Sequence, residues 1–328
     1  MPTGQGHPFP TLPPRTGEAS GRRDRAPTWE REGAGWPNRE ASSFLSIDGI
    51  RWHVQQMGEG PVLLLLHGTG AATHSWRDFA PLLARRFRVI APDLPGHGFT
   101  ECPDTSRLSL PGMSRVLGSL LRTLGAAPTV AVGHSAGAAI CARMALDGEM
   151  APRAIVSLNG ALLPWRGMPG KVFSPLARLL SANGVAARFV AWRAGEPGAV
   201  ERLLHSTGSH IDAAGREWYR RLVCSPTHVA SVLAMMARWD LAAFAEDLPR
   251  LTVPLWLVVG DHDGTVSPAD ADRIRQRLPG PEPIRLAGLG HLAHEESPRR
   301  VAEVVVRLAR TEGVLAPDSE AVVAEGRP

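Results

Sequence analysis

Chemistry is most concentrated in one short turn of this sequence. Gly133-His134-Ser135-Ala136-Gly137 follows the apolar run Thr129-Val130-Ala131-Val132 and leads into the alanine-rich stretch Ala138 to Leu146. A strand, a tight turn and a helix are thereby implied, with a serine at the apex. Only small residues fit the flanks of such a turn. The apex hydroxyl stands above the sheet at a helix N-terminus, where the helix dipole favours negative charge. A serine in that setting is a candidate nucleophile once a nearby base removes its proton. The bare Gly-x-Ser-x-Gly pattern arises by chance in glycine-rich chains, so the flanking strand and helix carry the reading.

A nucleophilic serine needs a base, an acid that orients the base, and two N–H groups for the oxyanion. His291, in Gly288-Leu289-Gly290-His291 after the strand-like Ile284-Arg285-Leu286, is the expected base. His294, three residues on, is its rival. The expected acid is Asp263, three residues past Gly260, which ends the buried-strand pattern Leu255-Trp256-Leu257-Val258-Val259. Asp261 is the alternative, with a turn hydrogen bond as its plainer role. One oxyanion donor is expected from Ala136. The other is expected from Thr69, in the loop His67-Gly68-Thr69-Gly70 that follows Val62-Leu63-Leu64-Leu65-Leu66. His67, His134, Trp165 and Trp239 are further candidates for substrate contact.

The elements that must position these groups alternate. Strands are predicted at 44–47 and 50–55, around the turn Asp48-Gly49, and at 62–66, 87–91, 129–132, 154–158, 255–259 and 283–286. Helices are predicted near 75–85, 109–124, 136–147, 268–278 and 297–310. That alternation implies a mostly parallel sheet with right-handed crossovers and helices on both faces. Serine, acid and histidine then occur in the order of the α/β-hydrolase fold, so this is the expected fold class. Residues 164–250 hold no strand candidate. Val172, Phe173, Leu176, Leu179 and Leu180, then Val229, Val232, Leu233 and Met236, follow helical spacing, and Ser225-Pro226 reads as N-cap and first turn. This block is the expected inserted helical cap. The core is expected at 36–163 and 251–312. Residues 1–35, rich in Pro, Gly and Arg and poor in large apolar side chains, are expected to be a disordered tail, and residues 313–328 a second, flexible end.

Composition excludes several classes. The formal net charge is +4 over 328 residues, with a single lysine, Lys171, and that excess does not indicate nucleic acid. Three widely spaced cysteines suggest neither a disulfide framework nor a zinc site, and a reducing compartment is the natural reading. No phosphate-binding Gly-x4-Gly-Lys loop and no metal-ligand spacing occurs. The absence of an apolar signal core or spanning run leads to the expectation of a cytoplasmic protein, at most peripheral to a membrane. The mechanism itself calls for no cofactor. Serine at the turn separates the chain from dehalogenases and epoxide hydrolases of this fold, which use aspartate there. It points to an ester, thioester or amide, or to carbon–carbon cleavage beside a carbonyl.

Several stretches go beyond the generic fold. They are Trp36-Pro37-Asn38-Arg39-Glu40-Ala41-Ser42, Arg51-Trp52-His53-Val54-Gln55, the run Leu64 to Asp78, Pro92-Asp93-Leu94-Pro95-Gly96-His97-Gly98-Phe99-Thr100, and Gly133 to Ala139. Together they resemble the magnesium-chelatase accessory proteins of bacteriochlorophyll synthesis, over roughly residues 36–310. The resemblance implies a place near magnesium insertion into protoporphyrin IX, with magnesium chelatase as a partner. It carries the triad over to Ser135, Asp263 and His291, and the oxyanion donors to Thr69 and Ala136. It supplies no reaction. The chelatase is a separate ATP-driven complex, and this chain has no ATP motif.

The cap sharpens the substrate question. Residues 164–250 hold ten arginines and one lysine against seven acids, with Trp165, Trp192, Trp218, Trp239, Tyr219 and Met235-Met236. Such surfaces suit a large flat ligand with carboxylates, which makes a small-molecule substrate of tetrapyrrole type one expectation. The plainer alternative is that the aromatics fill the cap core and the arginines are solvated. A non-catalytic porphyrin-handing module and an ordinary esterase or carbon–carbon hydrolase unrelated to pigments are the rival functions.

Overall fold

The structure, a computed structural model, describes residues 28–102, 104–164 and 184–317. Eight strands form one sheet: β1 (Ser42–Ile47), β2 (Ile50–Met57), β3 (Val62–Leu66), β4 (Arg88–Pro92), β5 (Val130–His134), β6 (Ala154–Leu158), β7 (Leu255–Gly260) and β8 (Ile284–Leu286). Their order across the sheet is β1-β2-β4-β3-β5-β6-β7-β8. β2 pairs antiparallel to β1 and β4, and all later neighbours are parallel. The chain leaves β3 toward β4 on one side and returns to β5 on the other. Crevices at the carboxyl ends of strands beside such a switch are where α/β sheets place ligands.

The central strands β3, β5, β6 and β7 are almost wholly apolar because both faces are covered. Leu64 and Leu66 pack with Ala131, Ile155 and Leu257 on one face. Leu63 and Leu65 pack with Val130, Val132, Val156 and Val258 on the other. Helices α1 (Leu110–Thr123), α2 (Ala136–Leu146) and α8 (Asp270–Arg277) cover the first face, and α9 (Pro298–Thr311) the second. On α9 the buried residues Val301, Val304, Val305 and Leu308 recur at helical spacing, which is why that stretch folds as it does.

Between β6 and β7 the described chain is helical: α3 (Gly184–Ala194), α4 (Ala199–Ser206), α5 (Ala213–Val223), α6 (Pro226–Arg238) and α7 (Leu241–Asp247). Ser225 caps α6, its hydroxyl accepting from the His228 N–H. The apolar series from Val172 to Leu180 lies outside the described residues. Phe244 and Ala245 of α7 join the main core, so that helix anchors the block to the sheet domain. Among the described residues no helix is long and apolar enough to cross a membrane.

Two local expectations differ from the structure. The helix predicted over 75–85 is split into a 3-10 turn at Thr73–Trp76 and a short helix at Ala80–Leu83, because Pro81 fits only a helix's first turn. Residues 29–35, assigned to a tail by composition, form a helical turn at Trp29–Glu32 and a 3-10 turn at Gly33–Gly35. The Trp29 ring meets Phe44 and Phe99 edge-on and lies under the Arg39 guanidinium. One aromatic anchor supplies the burial that the proline- and glycine-rich average conceals.

Candidate active site

Ser135 stands between β5 and α2 with φ 51° and ψ −115°, a backbone conformation that a non-glycine residue holds only under constraint. The constraints are visible. The Ser135 N–H donates to Leu158 O (3.0 Å), and its carbonyl accepts from Ala138 (3.2 Å) and Ala161 (3.0 Å). A Cβ at Gly133 would collide with the Ala138 amide, and one at Gly137 with the Leu66 carbonyl oxygen. The two glycines are therefore steric requirements of the turn, as the sequence implies.

The expected base and acid are brought together. His291 Nδ1 and Asp263 Oδ2 are 2.8 Å apart in a buried setting. An imidazole that donates from Nδ1 presents its Nε2 lone pair as a proton acceptor. The other Asp263 oxygen accepts from the N–H groups of Thr265 (2.7 Å) and Val266 (2.9 Å), which fixes the carboxylate's orientation. The rivals have other work. Asp261 accepts from the Gly288 N–H (2.7 Å), the turn role open to it. His294 is buried, with Nε2 on Ser75 Oγ (2.8 Å).

The loop after β3 abuts the serine. A Cβ at Gly68 would stand 3.0 Å from the Ser135 Cβ and 2.9 Å from His134 Nδ1. Among the described residues, the backbone N–H groups of Thr69 and Ala136 have no hydrogen-bond partner. The Thr69 hydroxyl reaches toward Met235 Sδ of α6 at 4.0 Å, and Gly70 O lies 3.2 Å from His228 Nε2. The helical block between β6 and β7 thus touches this loop directly.

The candidates for substrate contact divide. His67 is wholly buried, with Nδ1 donating to Gly68 O (2.8 Å) and Nε2 accepting from the Leu94 N–H (2.9 Å). Both nitrogens are spent on bracing the loop, so His67 has none to offer a ligand. His134 is buried and donates from Nε2 to His291 O (2.9 Å), while its Nδ1 has no partner among the described residues. Trp239 Nε1 donates to Leu108 O (3.1 Å), tying the end of α6 to the core. Trp165 lies outside the described residues. Trp218 and Tyr219 pack into apolar clusters, whereas Phe189 and Trp192 are exposed, their ring centroids 5.7 Å apart.

Sequence reasoning missed several positioning groups. Asn159, at φ 48°, donates from Nδ2 to Asp263 Oδ2 (2.8 Å) and Gly290 O (3.4 Å). Its signal was the Asn159-Gly160 pair after β6, since asparagine tolerates left-handed backbone. Replacing Asn159 with glycine keeps that backbone and removes the donor. If Asp263 serves as the orienting acid, about 1–2 kcal/mol of support is lost. Reaction of Ser135 with an active-site acylating probe is then expected to slow about tenfold at unchanged fold, measured by quenched mass spectrometry.

A buried network surrounds the site. Asp93 accepts from His53 Nδ1 (2.8 Å) and from the N–H groups of Thr73 (2.7 Å) and Phe99 (2.9 Å). Burial alone would raise its pKa, but the His53 imidazole and these donors outweigh burial and hold it low. Glu295 accepts from Ser75 Oγ (2.6 Å) and from Tyr219 Oη of α5 (2.6 Å). Burial nevertheless drives its pKa up to about 7. Burial also lowers His74 to about 3, His228 to about 4 and His294 to about 3, and pushes His67, His97 and His134 down. These rings are neutral at neutral pH. Among the described residues no group of three or more His, Cys, Asp or Glu is placed to hold a metal ion. Cys102, Cys141 and Cys224 are free thiols.

The family described as "alpha/beta hydrolase fold" matches residues 61–298. The "Magnesium-chelatase 30 kDa subunit" of Rhodobacter capsulatus is 40% identical over 264 residues, covering 80% of this chain and 92% of that protein. Among solved structures, an α/β hydrolase fold protein from Burkholderia ambifaria superposes with a TM-score of 0.67 at 23% identity, over 81% of this chain and 97% of that one. The epoxide hydrolase CorEH does so with a TM-score of 0.69 at 23% identity, over 82% and 98%. At such identity the structural likeness speaks for the fold alone. On the sheet order, the strained turn and these matches, the chain belongs to the α/β-hydrolase fold family and, within it, to the family of the R. capsulatus magnesium-chelatase 30 kDa subunit.

Proposed function

We propose that this protein is a serine hydrolase that serves as an accessory factor of bacteriochlorophyll synthesis at the magnesium-chelatase step. The observations that carry the chemistry are the 2.8 Å His291–Asp263 pair and the positive φ at which Ser135 is held at the end of β5. His291 Nε2 takes the Ser135 hydroxyl proton as the oxygen attacks an acyl carbon. Asp263 stabilises the imidazolium that results. The N–H groups of Thr69 and Ala136, which have no other partner among the described residues, receive the oxyanion. Protonated His291 returns its proton to the leaving group, and water activated by the same nitrogen then cleaves the acyl-serine. No cofactor enters these steps.

The pathway reading rests on the relative whose printed name is a magnesium-chelatase subunit. Association with that chelatase belongs to the same reading. The exposed Phe189–Trp192 pair supports a large flat, tetrapyrrole-like ligand at the cap. The test is pigment profiling in a phototrophic host whose own copy of the gene is deleted. Wild-type protein is expected to restore bacteriochlorophyll. Ser135→Ala is expected to leave tetrapyrroles accumulating before magnesium insertion. Full restoration by Ser135→Ala would overturn the catalytic part, and unchanged pigment in the deletion would overturn the pathway part.

A further inference from the structure

Helices α4 and α5 of the cap are joined by Thr207-Gly208-Ser209-His210, and this segment runs between the loops that carry the acid and the base. The Thr207 carbonyl accepts from the Gly264 N–H (3.0 Å), next to Asp263, and from the His291 N–H (3.2 Å). Buried Ser209 accepts through Oγ from the Leu292 N–H (2.8 Å). The Glu296 carboxylate bridges both sides, taking the Gly290 N–H on Oε1 (2.8 Å) and the His210 N–H on Oε2 (3.0 Å).

The backbones are also in contact. Gly208 sits at φ 76°, and a Cβ there would collide with the His262 carbonyl oxygen. A Cβ at Gly264 would lie 2.5 Å from Ser206 O, and one at Gly290 would lie 2.5 Å from Ser209 Oγ. Three glycines on three segments thus let three backbones meet without side chains between them. The sheet cannot supply this support. The β7–β8 ladder ends at Gly260 opposite Leu286, before either functional side chain. Beyond it the two loops keep two direct backbone bonds, Asp261 N–H to Leu286 O (3.3 Å) and His262 N–H to Leu289 O (3.0 Å).

We propose that Thr207–His210 is a positioning strap, through which the cap sets the geometry of the Asp263–His291 pair. Its residues touch no reacting atom. They hold the backbone of the base and of the residue after the acid, so α4 and α5 cannot shift without moving both loops. Binding that displaces these helices alters His291 as well as access to Ser135. This coupling rests on the proposed roles of Ser135, Asp263 and His291. Misplacement by about 1 Å at such a site costs on the order of 100-fold in rate.

The test uses the full chain with Gly208→Ala, Ser209→Ala and Ser209→Thr, and two readouts. The first is the downfield proton resonance of His291 Nδ1–H, assigned by its loss in Asp263→Asn. It needs no chemistry at Ser135. The second is the pH profile of Ser135 labelling by a fluorophosphonate. Gly208→Ala is expected to shift or broaden the resonance, slow labelling about 100-fold and move the midpoint of the profile. Ser209→Ala is expected to do the same at about tenfold, with Ser209→Thr restoring both readouts. An unchanged resonance and profile in a folded Gly208→Ala would overturn the strap. Should Gly208→Ala not fold, identical readouts from wild type, Ser209→Ala and Ser209→Thr would overturn it. Wild-type protein that never labels, yet whose resonance responds to these variants, removes the hydrolase reading and leaves the strap standing.

Discussion

Ser135→Ala and His291→Ala are each expected to lower hydrolysis of a small activated ester by about 10⁴-fold or more, with the double variant no slower than either single, if the proposed mechanism holds. Without the base, the hydroxyl at 135 is a poor nucleophile. Without the hydroxyl, the imidazole at 291 has no proton to move. Groups that act as one unit do not add. On the proposed mechanism the residual rate belongs to the N–H groups of Thr69 and Ala136, which neither substitution touches. Steady-state kinetics on the three variants checks this. Additive losses would mean that the two side chains act separately, and rates equal to wild type would place the reaction elsewhere.

The second large effect is acid destabilisation. Burial lowers His74, His228 and His294 from 6.5 to about 3, about 4 and about 3, while the unfolded chain takes up protons near 6.5. Their stabilising effect is complete above pH 6.5 and is lost as pH falls toward the folded values. Each costs about 1.4 kcal/mol per pH unit within that window. Glu295 opposes them. Its pKa rises from 4.5 to about 7, so its contribution is full below 4.5 and fades as pH rises through 7. One carboxyl cannot offset three histidines, and His67, His97 and His134 are lowered as well. A net loss of about 3 kcal/mol is expected on going from pH 6.5 to 5.5. That corresponds to a fall in Tm of about 10 °C, measurable by calorimetry. His228→Gln is expected to flatten the slope by one histidine's share. A Tm indifferent to pH across this range would contradict the neutral-histidine interior.

What the sequence discloses follows the range of the forces involved. The turn at Ser135 is legible because its steric demands are local: Gly133 and Gly137 lie within two residues of the apex. The central strands β3, β5, β6 and β7 are legible because covering both faces makes them almost continuously apolar. The preference for His291 over His294 rests on its position after a turn glycine, and it is His291 whose Nδ1 lies 2.8 Å from Asp263 Oδ2. His67, a histidine in a glycine-rich loop, reads as available to a ligand, whereas one of its two bonds depends on where β4 delivers Leu94. Asn159, Thr207 and Ser209 stayed hidden for a related reason. Their roles arise from segments 104, 84 and 83 residues away along the chain. Trp29 was hidden by averaging, since one aromatic ring orders a stretch that composition calls a tail.

On the proposed mechanism one hydroxyl, at position 135, is made reactive by its neighbours. Incubating the folded protein with a fluorophosphonate and weighing the intact chain puts that to the proof. The expected result is a single adduct per chain, mapped by peptide sequencing to Ser135 and blocked by His291→Ala. A chain that keeps its mass, or carries the adduct on another residue, would contradict the account.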